Sequence, residues 1–214
     1  DFAPVVLVAS VPNVLVMNPA TSARLGIQTV QDLIGYARRN PGKLNMGSGG
    51  NGSAGHLAGE LLKTRAGVFA AHIPYAGATP AQVALMSGQT DFMFDNLAAA
   101  SPLIAAGKLK ALAVTTAARS RLLPEVPTMM QAGVPDFDLG TWFGIFAPAH
   151  TPENVVQKLH NEYAQALGSP DMRRRLADMG SDASPGTPAS LAALVQSDLR
   201  KYAEIVRISG AKLN

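Results

Sequence analysis

The sequence predicts an α/β fold whose sheet is mostly parallel and flanked by helices. Two observations carry that reading. Through position 116, short β-branched apolar runs alternate with helical patterns of about ten residues, which is how βαβ units read in sequence. Hydrophobic residues make up 47% of the 214 and charged residues 15%, a composition that builds a core and excludes a disordered chain. The rhythm then changes near 117–140, and the remainder reads as one strand followed by helices.

Each element follows from local chemistry. "DFAPVVLVAS" and "NVLVMNP" are two short apolar runs, read as two strands. In "TVQDLIGYARRNPG", Thr29 and Asp32 form a capping box. Val30, Leu33, Ile34 and Ala37 share one face of the helix, and Pro41-Gly42 stops it. "KLNMG" is a short strand, and a glycine loop leads from it into a helix running from Ser53 to Arg65. "VFAAHIPY" is a strand. "TPAQVALMSG" is a helix with Thr79 as cap, Pro80 at the first helical position and Gly88 at its stop. "TDFMFDN" is a strand, "LAAASPLIAAG" a helix and "LKALAVTT" a strand. "RSRLLPEVPTMMQAGVPDFD" holds three prolines and reads as a connector with one short helix. "TWFGIFAPA" is a buried strand, and helices follow at 152–167, 170–179 and 188–208, with "PGTP" as a break.

Charge and cysteine narrow the function. A net charge of +3 and a pI near 9.3 suit an anionic small ligand. They fall short of a nucleic-acid footprint, which needs basic residues gathered on one face. Arg173, Arg174 and Arg175 are the densest basic run and read as a solvated helix face. No cysteine is present, so disulfides, thiolate catalysis and cysteine-based zinc sites are excluded. No run reaches the ~18 apolar residues of a membrane span. The chain starts at Asp1 with no signal-like segment, so its first residues are not read as a translation start.

The stretch "NMGSGGNGSAGHLAGELL", residues 45–62, is the strongest candidate for a site. Gly47, Gly49 and Gly52 satisfy G-x-G-x-x-G between a strand and a helix. A dinucleotide site also expects an acidic residue about 20 positions on. The next strand ends "HIPY" and offers none. A phosphate-binding P-loop needs Gly-Lys-Ser/Thr, and Gly52-Ser53 lacks the lysine. What remains is a helix start whose free amides suit a carboxylate, with Ser48 and Ser53 as added hydroxyl donors. The same residues equally suit an ordinary strand-to-helix turn capped by Ser53.

Other candidates are thinner. His56 lies in the first turn of that helix, within reach of the same ligand. His72 sits inside an apolar strand and reads as a core residue; His150 and His160 read as loop and helix-surface positions. No two histidines have metal-ligand spacing, so no metal is expected. Asp91 and Asp95 share a strand face but stand about 13 Å apart at a rise of ~3.3 Å per residue, too far for a carboxylate dyad. Asp95-Asn96 ends a strand where open α/β sheets place ligands, or caps the helix that begins at Leu97. No Ser/His/Asp arrangement, G-x-S-x-G elbow or Ser-x-x-Lys stands out, so no enzyme and no cofactor is expected.

Four motifs in order complete the reading: "LNMGSGGNGSAGHLAGELL", "HIPYAGATPAQVALMSGQTDFMFDN", "GKLKALAVTTAARSRLLPEVPTMMQAG" and "WFGIFAPAHTPENVVQKL". Together they closely resemble the Bug, or TctC-like, family of periplasmic solute-binding proteins of tripartite tricarboxylate transport systems. The resemblance implies a periplasmic-binding-protein type II-like fold of two lobes that close on a small carboxylate. It implies delivery to a membrane permease with no covalent change. The ligand-binding residues it implies are Gly47, Ser48, Gly49, Gly50, Asn51, Gly52, Ser53, His56, Tyr75, Asp95 and Asn96. Residues 1–10 would be a crossover strand and 11–125 lobe two. Residues 126–214, with a strand at 141–147, would return to an incomplete lobe one, since about a hundred residues of the family pattern precede Asp1. Apolar surface around Trp142, Phe143 and Phe146 would then be covered by a homodimer partner or by a rearranged C-terminal segment. Two alternatives stay open: a solute sensor feeding a signalling receptor, and an enzyme using the helix start as an oxyanion site with His56 as acid or base.

Overall fold

A computed structural model describes residues 1–181 and 185–211. The chain divides into two compact units. The larger holds Pro12–Gly140 and the C-terminal stretch that begins at Ile205, and the smaller holds Asp1–Val11 and Thr141–Glu204.

The first strand, β1, is a single run over Phe2–Met17. The two strands read from the sequence are one, because Pro12 and Asn13 do not interrupt its extended backbone. After Met17 the chain makes a helix that the sequence reading passed over, α1 (Pro19–Leu25). Its signals are Asn18 as cap and Pro19 at the first position. Asn18 is buried, and its side chain serves two helix ends at once. Its Oδ1 accepts from the amides of Ala20 (2.8 Å) and Thr21 (3.1 Å). Its Nδ2 donates to the carbonyls of Leu85 (2.9 Å) and Met86 (3.0 Å).

The next helix, α2 (Val30–Arg39), has the expected capping box, and the four apolar residues of its face are all buried. Then come β2 (Asn45–Ser48), α3 (Ala54–Ala66), β3 (Ala71–Pro74), α4 (Ala78–Met86), β4 (Phe92–Asn96), α5 (Leu97–Ala105) and β5 (Lys110–Val114). Helix α4 starts ahead of its expected position. Gly77 is its cap residue, without a side-chain cap bond, and Thr79 lies inside the first turn. The connector after β5 forms turns, and no helix occurs in it.

The sheet order is β3-β2-β4-β1-β5. β2 pairs in parallel with β3 and with β4, while β1 runs antiparallel to both β4 and β5. Strands β2 to β5 therefore share one direction, as the βα alternation predicts, and β1 is inserted against them. Alternation cannot reveal that reversal, because β1 enters the sheet before the first βα unit. The core of this unit gathers Leu15, Met17, Leu33, Met46, Leu62, Phe94 and Leu97. Phe94 stacks on Phe137 with ring centroids 5.8 Å apart.

In the smaller unit, β6 (Gly140–Pro148) pairs with β1, and α6 (Glu153–Gly168), α7 (Pro170–Asp178) and α8 (Pro188–Ser209) follow. Val5, Val6, Ala9, Ala147, Leu167 and Leu176 form its core. Strand β6 is only half-buried over most of its length, and Phe143 is 50% exposed, so the expectation of a buried strand does not hold. The Trp142 indole donates to the Asp198 carboxylate of α8 at 2.7 Å. Arg174 and Arg175 are exposed and pair with Asp171, the solvated face expected of them. His160 is half-buried, its Nδ1 lying 3.1 Å from the Val5 carbonyl, so it is not a free surface position. No described helix is long and apolar enough to cross a membrane.

Candidate functional site

Parallel pairing sets the site. In the larger unit Gly47 of β2 lies beside Met93 of β4 and Ile73 of β3, so all three strands end along one edge of the sheet. From those ends start α3, α4 and α5, of 13, 9 and 9 residues. Each helix start carries roughly half a positive charge and unpaired amides. Three of them on one edge favour an anion.

The loop between β2 and α3 runs Gly49–Ser53. It is tied to its neighbours by backbone: Tyr75 donates its amide to the Ser48 carbonyl at 3.0 Å, and Ser53 donates to Gly50 at 3.2 Å. Gly52 sits at φ +76°, a conformation that a side chain would strain. Gly55 allows the closest approach. A Cβ there would fall under 3.0 Å from the Phe94 carbonyl oxygen, so α3 rests directly on the backbone of β4.

The expected donors separate into two groups. Ser53 caps α3, its hydroxyl accepting from the His56 amide at 3.2 Å. Ser48 is fully buried and turned inward. Its hydroxyl accepts from the Gly50 amide at 3.1 Å and lies 2.6 Å from His72 Nε2, so it is not offered to a ligand. Gly52 donates its amide to His56 Nδ1 at 3.0 Å, which also faces away from solvent. The amides of Gly49, Ala54 and Gly55 donate to no described residue. Asn51 is the exposed tip of the loop. Thus the loop leaves a few backbone amides without partners among the described residues and keeps its hydroxyls for its own shape.

His56 is buried at 4% exposure. Its ring stacks on that of His72, centroids 4.1 Å apart and planes within 7°. His72 is therefore part of the support behind the loop and not an ordinary core residue. Sequence spacing could not show this, because the parallel register of β2 and β3 brings the two rings together. Burial lowers the pKa of His56, with Glu60 opposing and Lys63 adding to the effect. Burial lowers His72 as well, to about 4.

His56, Glu60 and His72 offer donor atoms within 4.8 Å of one another. They do not suit a metal ion. A shared ion must lie in the plane of both rings, and stacked parallel rings have no common plane. Two of the three are also engaged: His72 Nε2 by Ser48, and Glu60 by Lys63 at 2.5 Å.

At the end of β4, Asp95 is buried and takes two hydrogen bonds, from Gln82 of α4 at 2.6 Å and from the Asn96 amide at 2.9 Å. Burial pushes its pKa up, and those two bonds oppose the shift. Gln82 is the partner that the sequence reading missed. Asn96 is the cap of α5, its Oδ1 accepting from the Ala98 amide at 3.1 Å, while its Nδ2 is buried without a hydrogen-bond partner among the described residues. Asn96 thus takes the capping role weighed for it and keeps one amide donor. Asp91 lies at the other end of β4 and accepts from the Asn45 amide at 2.8 Å, outside the site. Tyr75 joins through its backbone: its carbonyl is 3.2 Å from where a Cβ on Gly50 would stand.

The helix-flanked open sheet, with three helices starting along one edge, places the chain in the class of periplasmic-binding-protein-like α/β folds. The chain belongs to the tripartite tricarboxylate transporter family receptors, TctC, whose pattern it matches over residues 1–211. It is 41% identical over 207 residues to the UPF0065 protein in the tcbD-tcbE intergenic region of Pseudomonas sp. strain P51, covering 96% of this chain and 60% of that protein. Rpa4515 of R. palustris, solved with adipate, superposes with a TM-score of 0.91 at 36% identity, covering 99% of this chain and 69% of that one. MatC (Rpa3494) of Rhodopseudomonas palustris, solved with bound malate, gives a TM-score of 0.86 at 33% identity, covering 96% and 69%. The chain thus spans about three fifths of the length of the Pseudomonas relative.

Proposed function

We propose that this chain is the ligand-binding part of a periplasmic receptor that holds a small carboxylate and passes it unchanged to a membrane permease. The observation that carries the proposal is the sheet edge where α3, α4 and α5 begin, with the amides of Gly49, Ala54 and Gly55 unengaged among the described residues. A carboxylate takes its hydrogen bonds from such amides and its charge stabilisation from the helix starts. Gly47 to Ser53 shape the contact, and Asn51 and Ser53 border it. Ser48 and His56 act from behind by holding the loop, Tyr75 braces it through its backbone, and Asn96 supplies a side-chain amide. Asp95 sets the orientation of α4 through Gln82.

The two solved relatives carry adipate and malate, both dicarboxylates, which supports this class of ligand. A binding role without chemistry fits the site, since both ring nitrogens of His56 face protein groups. The test is a thermal-shift screen of mono-, di- and tricarboxylates. A ligand at a hundred times its dissociation constant adds about 2.7 kcal/mol to the folded state. For a chain of this size that is roughly 5–11 °C. No stabilisation by any carboxylate would sink the proposal.

A further inference from the structure

Behind the loop lies a group of side chains that no proposed ligand contact uses. The Gly52 amide is a backbone donor and cannot accept, so His56 Nδ1, 3.0 Å away, must carry its lone pair. The neutral ring then holds its one proton on Nε2, which lies 3.5 Å from Glu60 Oε1. A second proton has only Nδ1 to occupy. There it would set one N–H against another and end the bond to Gly52. The His72 ring is stacked on His56 at 4.1 Å, and Ser48 ties His72 to the same loop.

We propose that His56 is a positioning residue for the carboxylate loop and a proton-operated latch: neutral, it fixes the Gly52 amide, and protonated, it lets the loop go. The ligand side of this inference rests on the function proposed above. The charged groups facing the two rings are Glu60 and Lys63, both from α3, and β2 and the loop contribute none. Lys63 engages Glu60 at 2.5 Å and offsets the support that Glu60 gives an imidazolium. The neutral state is thus the one the fold is built around, and acid acts against it. A receptor of this design holds its ligand at neutral pH and loosens its grip as the surroundings acidify.

The test uses the full chain, labelled with nitrogen-15, with malate and adipate as probes. At neutral pH, nitrogen spectra of the imidazoles should place the His56 proton on Nε2. As pH falls, the His56 ring and the Gly52 amide should titrate together, and the malate dissociation constant should rise across the same midpoint. His56→Asn places an amide oxygen where Nδ1 stood, so it can accept from Gly52 but cannot take a proton. Its malate dissociation constant at neutral pH serves as the reference for its own pH series. Its Gly52 amide should no longer titrate, and the loss of malate at that midpoint should disappear. A His56 proton on Nδ1, or a Gly52 amide that does not move while His56 titrates, would overturn the latch. An acid profile unchanged by His56→Asn would do the same. If neither probe binds any form, the proposed function falls and the ligand role of His56 with it, while the tautomer and the shared titration still decide the latch.

Discussion

Replacing Gly55 by alanine tests how the site is held together. An added Cβ would lie under 3.0 Å from the Phe94 carbonyl oxygen, a distance that real side chains do not adopt. The obstacle is backbone, so no rotamer can relieve it, and α3 must lift away from β4. Overpacking of this kind costs about 1–3 kcal/mol, and a rigid partner puts it at the upper end. Alanine returns about 1 kcal/mol of helix propensity over glycine. The net loss is about 2 kcal/mol, or roughly 4–8 °C in melting temperature for a chain this long. Gly35 of α2 is the internal control, since a Cβ there meets only the flexible guanidinium of Arg39, at 3.3 Å. Gly35→Ala should gain about 0.5–1 kcal/mol. Melting curves of the two variants against the native chain give the answer. Equal stability for Gly55→Ala and Gly35→Ala would refute the close contact of α3 with β4. The displacement also carries the loop away from Asp95-Asn96, so Gly55→Ala should bind carboxylates more weakly.

Three further outcomes follow from the same geometry. Asn18→Ala removes the cap of α1 and strips the Leu85 and Met86 carbonyls of their donor; it should cost about 2–4 kcal/mol in urea unfolding. Thr29→Ala should cost about 1 kcal/mol as a lost cap. It should also flatten stability at low pH, because the Thr29 hydroxyl is the main cause that holds the Asp32 carboxyl below 3.8. That contribution is present above 3.8 and is lost as pH falls through the folded value. Burial keeps His72 neutral down to about 4 against 6.5 when unfolded, so stability is complete above 6.5 and declines as pH falls towards 4, the unfolded chain taking up the proton first. His72→Gln should reduce that decline in thermal melts at stepped pH.

Much of the larger unit was legible because its signals are local. The capping box at Thr29, the apolar face of α2 and the strand-loop-helix order around Gly47–Ser53 depend on residues within one or two turns of each other. What the sequence hid depends on register. The single long β1 and its reversed place in the sheet arise from pairing across Asn13–Asn96 and Val14–Val114, which no local pattern encodes. The site divided the same way. The glycine loop and its cap could be read directly. The inward turn of Ser48, the stacking of His56 on His72 and the bond from Gln82 to Asp95 needed three strand ends in their actual order. The lead that sequence did offer for His72 was its odd place as an imidazole in an apolar strand.

The most direct test of the account is an amide-shift map of the nitrogen-15-labelled chain during titration with adipate, set against its uncharged diamide. Adipate should give saturable shifts concentrated at the Gly49, Ala54 and Gly55 amides and the Asn96 side chain, with the diamide far weaker. Shifts centred elsewhere, or equal responses to adipate and the diamide, would contradict the account.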